Sequence, residues 1–92
     1  MYNILPYTRA QARQLGVKIT PSVRPGKKLD IYTRAGRYIT SVGASGYLDY
    51  PSYKKLYGKK VADERRKLYK IRHAADRAVK FSRGWWADQL LW

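Results

Sequence analysis

Lys28-Leu29-Asp30-Ile31-Tyr32-Thr33, then Arg34-Ala35-Gly36, then Arg37-Tyr38-Ile39-Thr40-Ser41-Val42, is the stretch whose reading decides the fold. Apolar and polar residues alternate on either side of a short break that ends in glycine. That pattern, rich in β-branched and aromatic residues, predicts an antiparallel β-hairpin. Leu29 and Ile31 share one face, and Tyr38, Thr40 and Val42 share another. Gly43-Ala44-Ser45-Gly46 ends the second strand, where its glycines point to a tight bend or a close backbone contact.

Upstream, Tyr7–Leu15 predicts a short helix with Thr8 as N-cap, Gly16 as a left-handed C-cap, and Ala12 and Leu15 facing inward. Val17–Ile19 is brief and extended, and Pro21 with Pro25-Gly26 makes residues 20–27 a loop. Downstream, the period changes. Leu48–Pro51 leads into a helical half, with Gly58 dividing a short helix at 51–57 from a long one that starts near Lys59 and is closed by Ser82-Arg83-Gly84. Tyr57, Val61, Leu68, Ile71, Ala75 and Val79 form an apolar stripe and are expected to be its buried face. Lys59, Arg66, Lys70 and Arg77 crowd the opposite side. Glu64 falls near the middle of the stripe, so it is expected to need a partner, with Arg9, Arg13 or Arg72 as candidates. The tail Trp85–Trp92 is apolar and expected to pack back on the body. The class expected is α+β: short N-terminal helix, antiparallel hairpin, long basic amphipathic helix, short aromatic C-terminal helix, all within a single small domain spanning 1–92.

Charge is the strongest clue to a partner. Twelve of the thirty residues from Lys54 to Arg83 are Lys or Arg, and the whole 92-residue chain carries a formal charge of +14. That exceeds what solubility needs, and nucleic acid is the polyanion such a surface most commonly meets. There is no cysteine, which excludes disulfides and thiolate metal sites. No stretch approaches the roughly 20 apolar residues of a membrane span. The first residues lack the basic start and apolar run of a signal peptide, so secretion by that route is not expected.

Little in the chain suggests catalysis. His73 is the lone histidine and cannot anchor a metal triad; it reads as a helix-surface residue among arginines rather than as a general base. Asp63 and Glu64 are adjacent and point about 100° apart on a helix, so they cannot share a metal. Gly43-x-x-Gly46 lacks the Lys-Ser/Thr context of a phosphate loop. No catalytic residue, metal or cofactor is assigned, and the chain reads as a non-enzyme.

Ala62-Asp63-Glu64-Arg65-Arg66-Lys67-Leu68-Tyr69-Lys70-Ile71-Arg72-His73 is preceded by Gly46–Pro51 and followed by Trp86–Trp92. Together with Tyr7–Gly16 these segments resemble a family of short, basic, uncharacterised proteins encoded by bacteriophages and large DNA viruses. The likeness spans almost the whole chain, although Trp85-Trp86 stands where tyrosines are expected. The resemblance implies a viral setting, in the virion or inside the host cell (cytoplasm or nucleus), and carries no catalytic residues with it.

The first functional expectation is a non-enzymatic viral protein that contacts nucleic acid, DNA rather than RNA, through its phosphates with little base discrimination. Lys59, Arg66, Lys70 and Arg77 are the expected contact row, with Arg65, Arg72 and Lys80 beside it. Lys27, Lys28, Arg34 and Arg37 at the ends of the hairpin extend the footprint. The alternative is a minor virion structural protein whose basic surface meets acidic patches of a major capsid protein or the packaged genome. In that case Trp85, Trp86, Leu91 and Trp92 are a possible interface, although the small core has a competing need for them.

Overall fold

The computed structural model describes residues 2–92. The chain separates into two compact units, one ending at Tyr47 and one running from Leu48 to Trp92. The class is α+β, as expected.

The first unit is α1 (Pro6–Leu15) followed by three antiparallel strands, β1 (Val17–Pro21), β2 (Lys27–Thr33) and β3 (Tyr38–Ala44), in the order β1-β2-β3. Leu5 is the N-cap of α1 and Pro6 occupies its first turn, where the missing N–H costs nothing. Thr8 is therefore not the cap: it lies inside the helix, fully buried, with no hydrogen-bond partner for its hydroxyl. Gly16 does end the helix in the left-handed region, at φ 72°, a conformation glycine adopts without steric cost. Ala12 is buried as expected, whereas Leu15 is only partly so.

The extended Val17–Ile19 is a strand, and it continues through Pro21, so the loop expected at 20–27 is shorter than expected. Val17–Pro21 pairs with β2 along its length, Ile19 opposite Ile31 and Pro21 opposite Leu29. Only residues 22–26 loop out, closed by a turn in which the Lys27 N–H donates to the Arg24 carbonyl. Pro25-Gly26 holds the two central positions of that turn, a pairing that suits type II geometry.

The β2–β3 hairpin forms with the predicted turn, but its register corrects the expected faces. Leu29 lies opposite Val42 and Ile31 opposite Thr40, so these residues share a single face, on which Leu29, Ile31 and Val42 are completely buried. One residue later the register slips, and Tyr32 pairs with Tyr38. The extra residue on β3 is Ile39, a β-bulge. It turns Tyr38 away from Thr40 and Val42 and onto the opposite face, with Asp30, Tyr32 and Ser41.

The second unit is helical: α2 (Tyr50–Tyr57), α3 (Lys59–Arg72), α4 (Ala74–Ala78) and α5 (Arg83–Leu91). Asp49 caps α2, its side chain accepting from the Ser52 N–H at 3.1 Å, and Gly58 separates α2 from α3 as predicted. The long helix, however, stops at Arg72. His73 breaks it, and Ser82, expected to close it, is instead the N-cap of α5, accepting from the Trp85 N–H.

The larger correction concerns which side of α3 is buried. Leu68 is 57% exposed and Ile71 66%, and Tyr57 and Val79 also face solvent. The buried residues are Ala62 and Tyr69, with Trp86, Leu90 and Leu91 of α5. Tyr69 stacks almost parallel on Trp92 at 4.3 Å and on His73 at 4.4 Å. Large aromatic rings bring more buried area and ring–ring attraction per residue than the aliphatic stripe offers, so the aromatic side wins. Glu64 then lies exposed on the outer side, and no ion pair among the described residues includes it.

Two tight places fix α4 against α5. A Cβ on Gly84 would lie 2.7 Å from Asp76 Cβ and 2.8 Å from its carbonyl oxygen, so only glycine permits this approach. Phe81, in the connection, has a positive φ of 68° and sets its ring edge-on to Trp85 at 5.2 Å.

Candidate nucleic-acid interface

The expected contact row is mostly committed within the helical unit. Lys70 Nζ lies 2.6 Å from Asp88 Oδ1, and Arg77 Nε donates to the same oxygen at 3.0 Å. Asp88 is only 5% exposed, so its charge is compensated inside the unit by cations from α3 and α4. Lys59 Nζ bonds Asp63 Oδ2 at 2.6 Å, while Tyr50 donates its hydroxyl to Asp63 Oδ1 at 3.0 Å. The bond from Lys59, then that from Tyr50, lowers the Asp63 pKa; the same bond to Asp63 raises that of Lys59. Arg66 sets its guanidinium 3.4 Å from the centre of the Tyr50 ring, with Nε buried and unbonded. Burial, and then the bond to Asp63, raises the Tyr50 pKa. Arg66, Lys70 and Arg77 thus tie helices to one another, whereas Lys59 pairs with Asp63 within α3 and stays exposed.

The other named cations of this unit remain at the surface. Arg65, Arg72 and Lys80 are exposed; Arg65 approaches the Tyr53 ring at 5.5 Å and Lys80 the Phe81 ring at 5.1 Å. Lys54, Lys55, Lys60 and Lys67 are exposed as well, and sequence reasoning passed over them. At about 100° per residue, Lys60, Lys67 and Ile71 fall within about 40° of one another, so the solvent side of α3 mixes basic and apolar groups. The signal that could have revealed this is the pair Ala62 and Tyr69, seven residues apart on the side of Arg66.

Of the aromatic tail, Trp86 and Leu91 are buried and Trp85 and Trp92 half-buried. The Trp92 ring is taken up by Tyr69, and by Tyr53 at 6.2 Å, so the cluster chiefly packs its own unit. His73 places Nδ1 3.2 Å from Asp76 Oδ2. Among the described residues, no group of three His, Cys, Asp or Glu could hold a metal ion, and no helix is long and apolar enough to cross a membrane.

In the sheet unit, Arg34 and Arg37 are exposed at the hairpin turn, and the Arg34 guanidinium lies over Gly16, 3.6 Å from where a Cβ would be. Lys27 is half-buried, and Lys28 is buried with Nζ 5.4 Å from the Tyr2 ring. The face of the sheet opposite Leu29 and Ile31 carries a bonded cluster that the sequence did not reveal. Asp30, 2% exposed, accepts from Ser41 Oγ at 2.5 Å, Ser22 Oγ at 2.6 Å and the Val23 N–H at 3.3 Å. Burial pushes the Asp30 pKa up, but the Ser22, Ser41 and Val23 bonds and the nearby Arg24 charge together bring it below the ordinary value. Tyr38 Oη lies 2.7 Å from Ser41 Oγ and 3.0 Å from Arg24 Nε, and these bonds, Ser41's first, lower its pKa. Arg24, raised by the same bond to Tyr38, lays its guanidinium 4.4 Å from the Tyr38 ring centre.

Comparison with protein-family models, with curated proteins and with solved structures returned no match, so the function is argued from these residues alone.

Proposed function

We propose that this is a non-enzymatic nucleic-acid-binding protein of viral setting that holds phosphates, those of DNA first, through exposed cations. One observation carries the reading. All five aspartates are engaged within the protein, Asp30, Asp49, Asp63, Asp76 and Asp88, so the net charge of +14 cannot be relieved internally. A surplus of that size raises the free energy of the compact state through self-repulsion and is relieved by a polyanion.

The contact set follows from exposure. In the helical unit it is Lys54, Lys55, Lys60, Arg65, Lys67, Arg72 and Lys80; in the sheet unit, Arg34 and Arg37. Arg66, Lys70 and Arg77 act as internal ties, and Lys59, although exposed, is held by Asp63 within α3. If about eight phosphates are neutralised, the logarithmic affinity for duplex DNA falls against logarithmic salt with a slope of about −7. Anisotropy titrations over several salt concentrations measure it. Replacing Lys60, Lys67 and Arg72 together by Glu is expected to abolish binding while leaving the circular dichroism spectrum unchanged. Unchanged affinity, or a flat salt dependence, overturns the proposal.

A second reading has its own support: Leu68 and Ile71 are exposed beside Lys60, Lys67 and Arg72. Apolar groups ringed by cations suit an acidic, partly apolar protein surface, as on a capsid. Association with purified particles that survives nuclease treatment would favour it.

A further inference from the structure

We infer that the outward face of the sheet is a stacking platform for an unpaired base, built from Arg24, Tyr38 and Tyr32. This rests on the nucleic-acid reading above and specifies its ligand as a single strand.

Three observations converge on it. The first is placement. The bulge at Ile39 brings Tyr38 opposite Tyr32, and the two rings meet edge to face at 5.8 Å and 68°. Tyr38 is 41% exposed on a face whose neighbouring strand carries Lys18, directly across from Tyr32. Were Ile39 paired into a regular ladder, it would stand opposite Tyr32, Tyr38 would share the face of Thr40 and Val42, and no aromatic pair would form.

The second is rigidity. The Tyr38 hydroxyl is held by Ser41 and Arg24, and Ser41 by the buried Asp30. Arg24 is further fixed by its bond to Ser41 Oγ at 3.1 Å and by its N–H, which donates to Ser22 Oγ. A platform locked before binding loses little conformational freedom when a ligand arrives. The third is chemistry. The guanidinium over the Tyr38 ring is a flat cation whose outer side faces solvent, since Arg24 is exposed. Flat guanidinium and aromatic surfaces take any base by its π-face, and a base is available for this only when unpaired. The base therefore stacks on the outer side of the guanidinium with Tyr32 as an edge wall, while Lys18 and Arg37 stand ready for the flanking phosphates.

The test compares a thymidine strand of about twelve nucleotides, within the range such sites cover, with an abasic strand carrying the same phosphates. Fluorescence anisotropy of labelled strands at low salt is expected to show the thymidine strand binding about 5- to 150-fold tighter, the range that stacking of one base supplies. A uridine strand in parallel separates RNA from DNA. Arg24→Lys keeps the charge and removes the flat surface, so it should erase the preference while leaving abasic binding within about twofold. Tyr32→Leu, which retains strand-compatible bulk, should reduce the preference in part. Equal affinity of the wild-type protein for both strands overturns the platform and leaves phosphate binding standing. So does a preference that survives Arg24→Lys. Failure of every strand, duplex included, to bind overturns both readings.

Discussion

Asp30 and Asp88 are both buried carboxylates, one in each unit, yet their charges are compensated in opposite ways. Asp30 is satisfied by two serine hydroxyls and a backbone N–H, which leaves the nearby Arg24 guanidinium to lie across an exposed tyrosine. Asp88 is satisfied by Lys70 and Arg77, which withdraws two cations from the surface. A neutral donor shell keeps positive charge available to partners; an ionic shell consumes it. Counting basic residues along a helix therefore overstates what is free in the helical unit, and sequence inspection understates what the sheet offers.

The sharpest way to break this contrast is Asp88→Ala. It strands Lys70 and Arg77 without their shared partner and is expected to cost about 3–5 kcal/mol. All three tryptophans lie in residues 85–92, so tryptophan fluorescence during urea unfolding reads the helical unit selectively. Next is the choice of faces on α3: Tyr69→Ala is expected to cost about 3 kcal/mol, and Leu68→Ala or Ile71→Ala no more than about 0.5 kcal/mol. If the aliphatic pair proved the costlier, the assignment of faces would be reversed. Gly84→Ala forces Cβ into Asp76 and is expected to cost about 1–3 kcal/mol, again by urea unfolding.

The smallest effect is a titration in the sheet unit. Because the native pKa of Asp30 is depressed, its contribution to stability is complete above the ordinary carboxylate value of about 3.9 and is lost as pH falls through the lower native value. Amide exchange of Val23 and Ser41 across that acid range should show the loss, and Asp30→Asn should flatten it. An unchanged pH profile in the variant would locate the acid sensitivity elsewhere.

Much of the architecture was legible in the sequence: the hairpin alternation, the glycine that ends α1 and the break at Gly58 each have a local cause. The face of α3 was not, because aliphatic periodicity and aromatic packing point in opposite directions there, and the decision depends on Trp92 and Trp86, more than a dozen residues away. The same distance hid Asp88, whose role exists only once α3, α4 and α5 meet. The third strand was partly visible as an extended Val17–Ile19, but its continuation through Pro21 depends on pairing with β2. The cluster around Asp30 was invisible because Ser22, Asp30 and Ser41 are joined only by strand register.

The bulge at Ile39 has one more consequence, and it concerns inheritance. Which way Tyr38 faces depends on whether Ile39 is bulged out of the ladder or paired within it, while the identity of that residue is secondary. Deleting Ile39 would set Tyr38 beside Thr40 in a regular ladder and keep it outward, opposite Tyr32; drawing Ile39 into the ladder would turn Tyr38 inward. Among related chains, therefore, the trait to follow is which residue stands opposite Tyr32: what is passed on is a pairing.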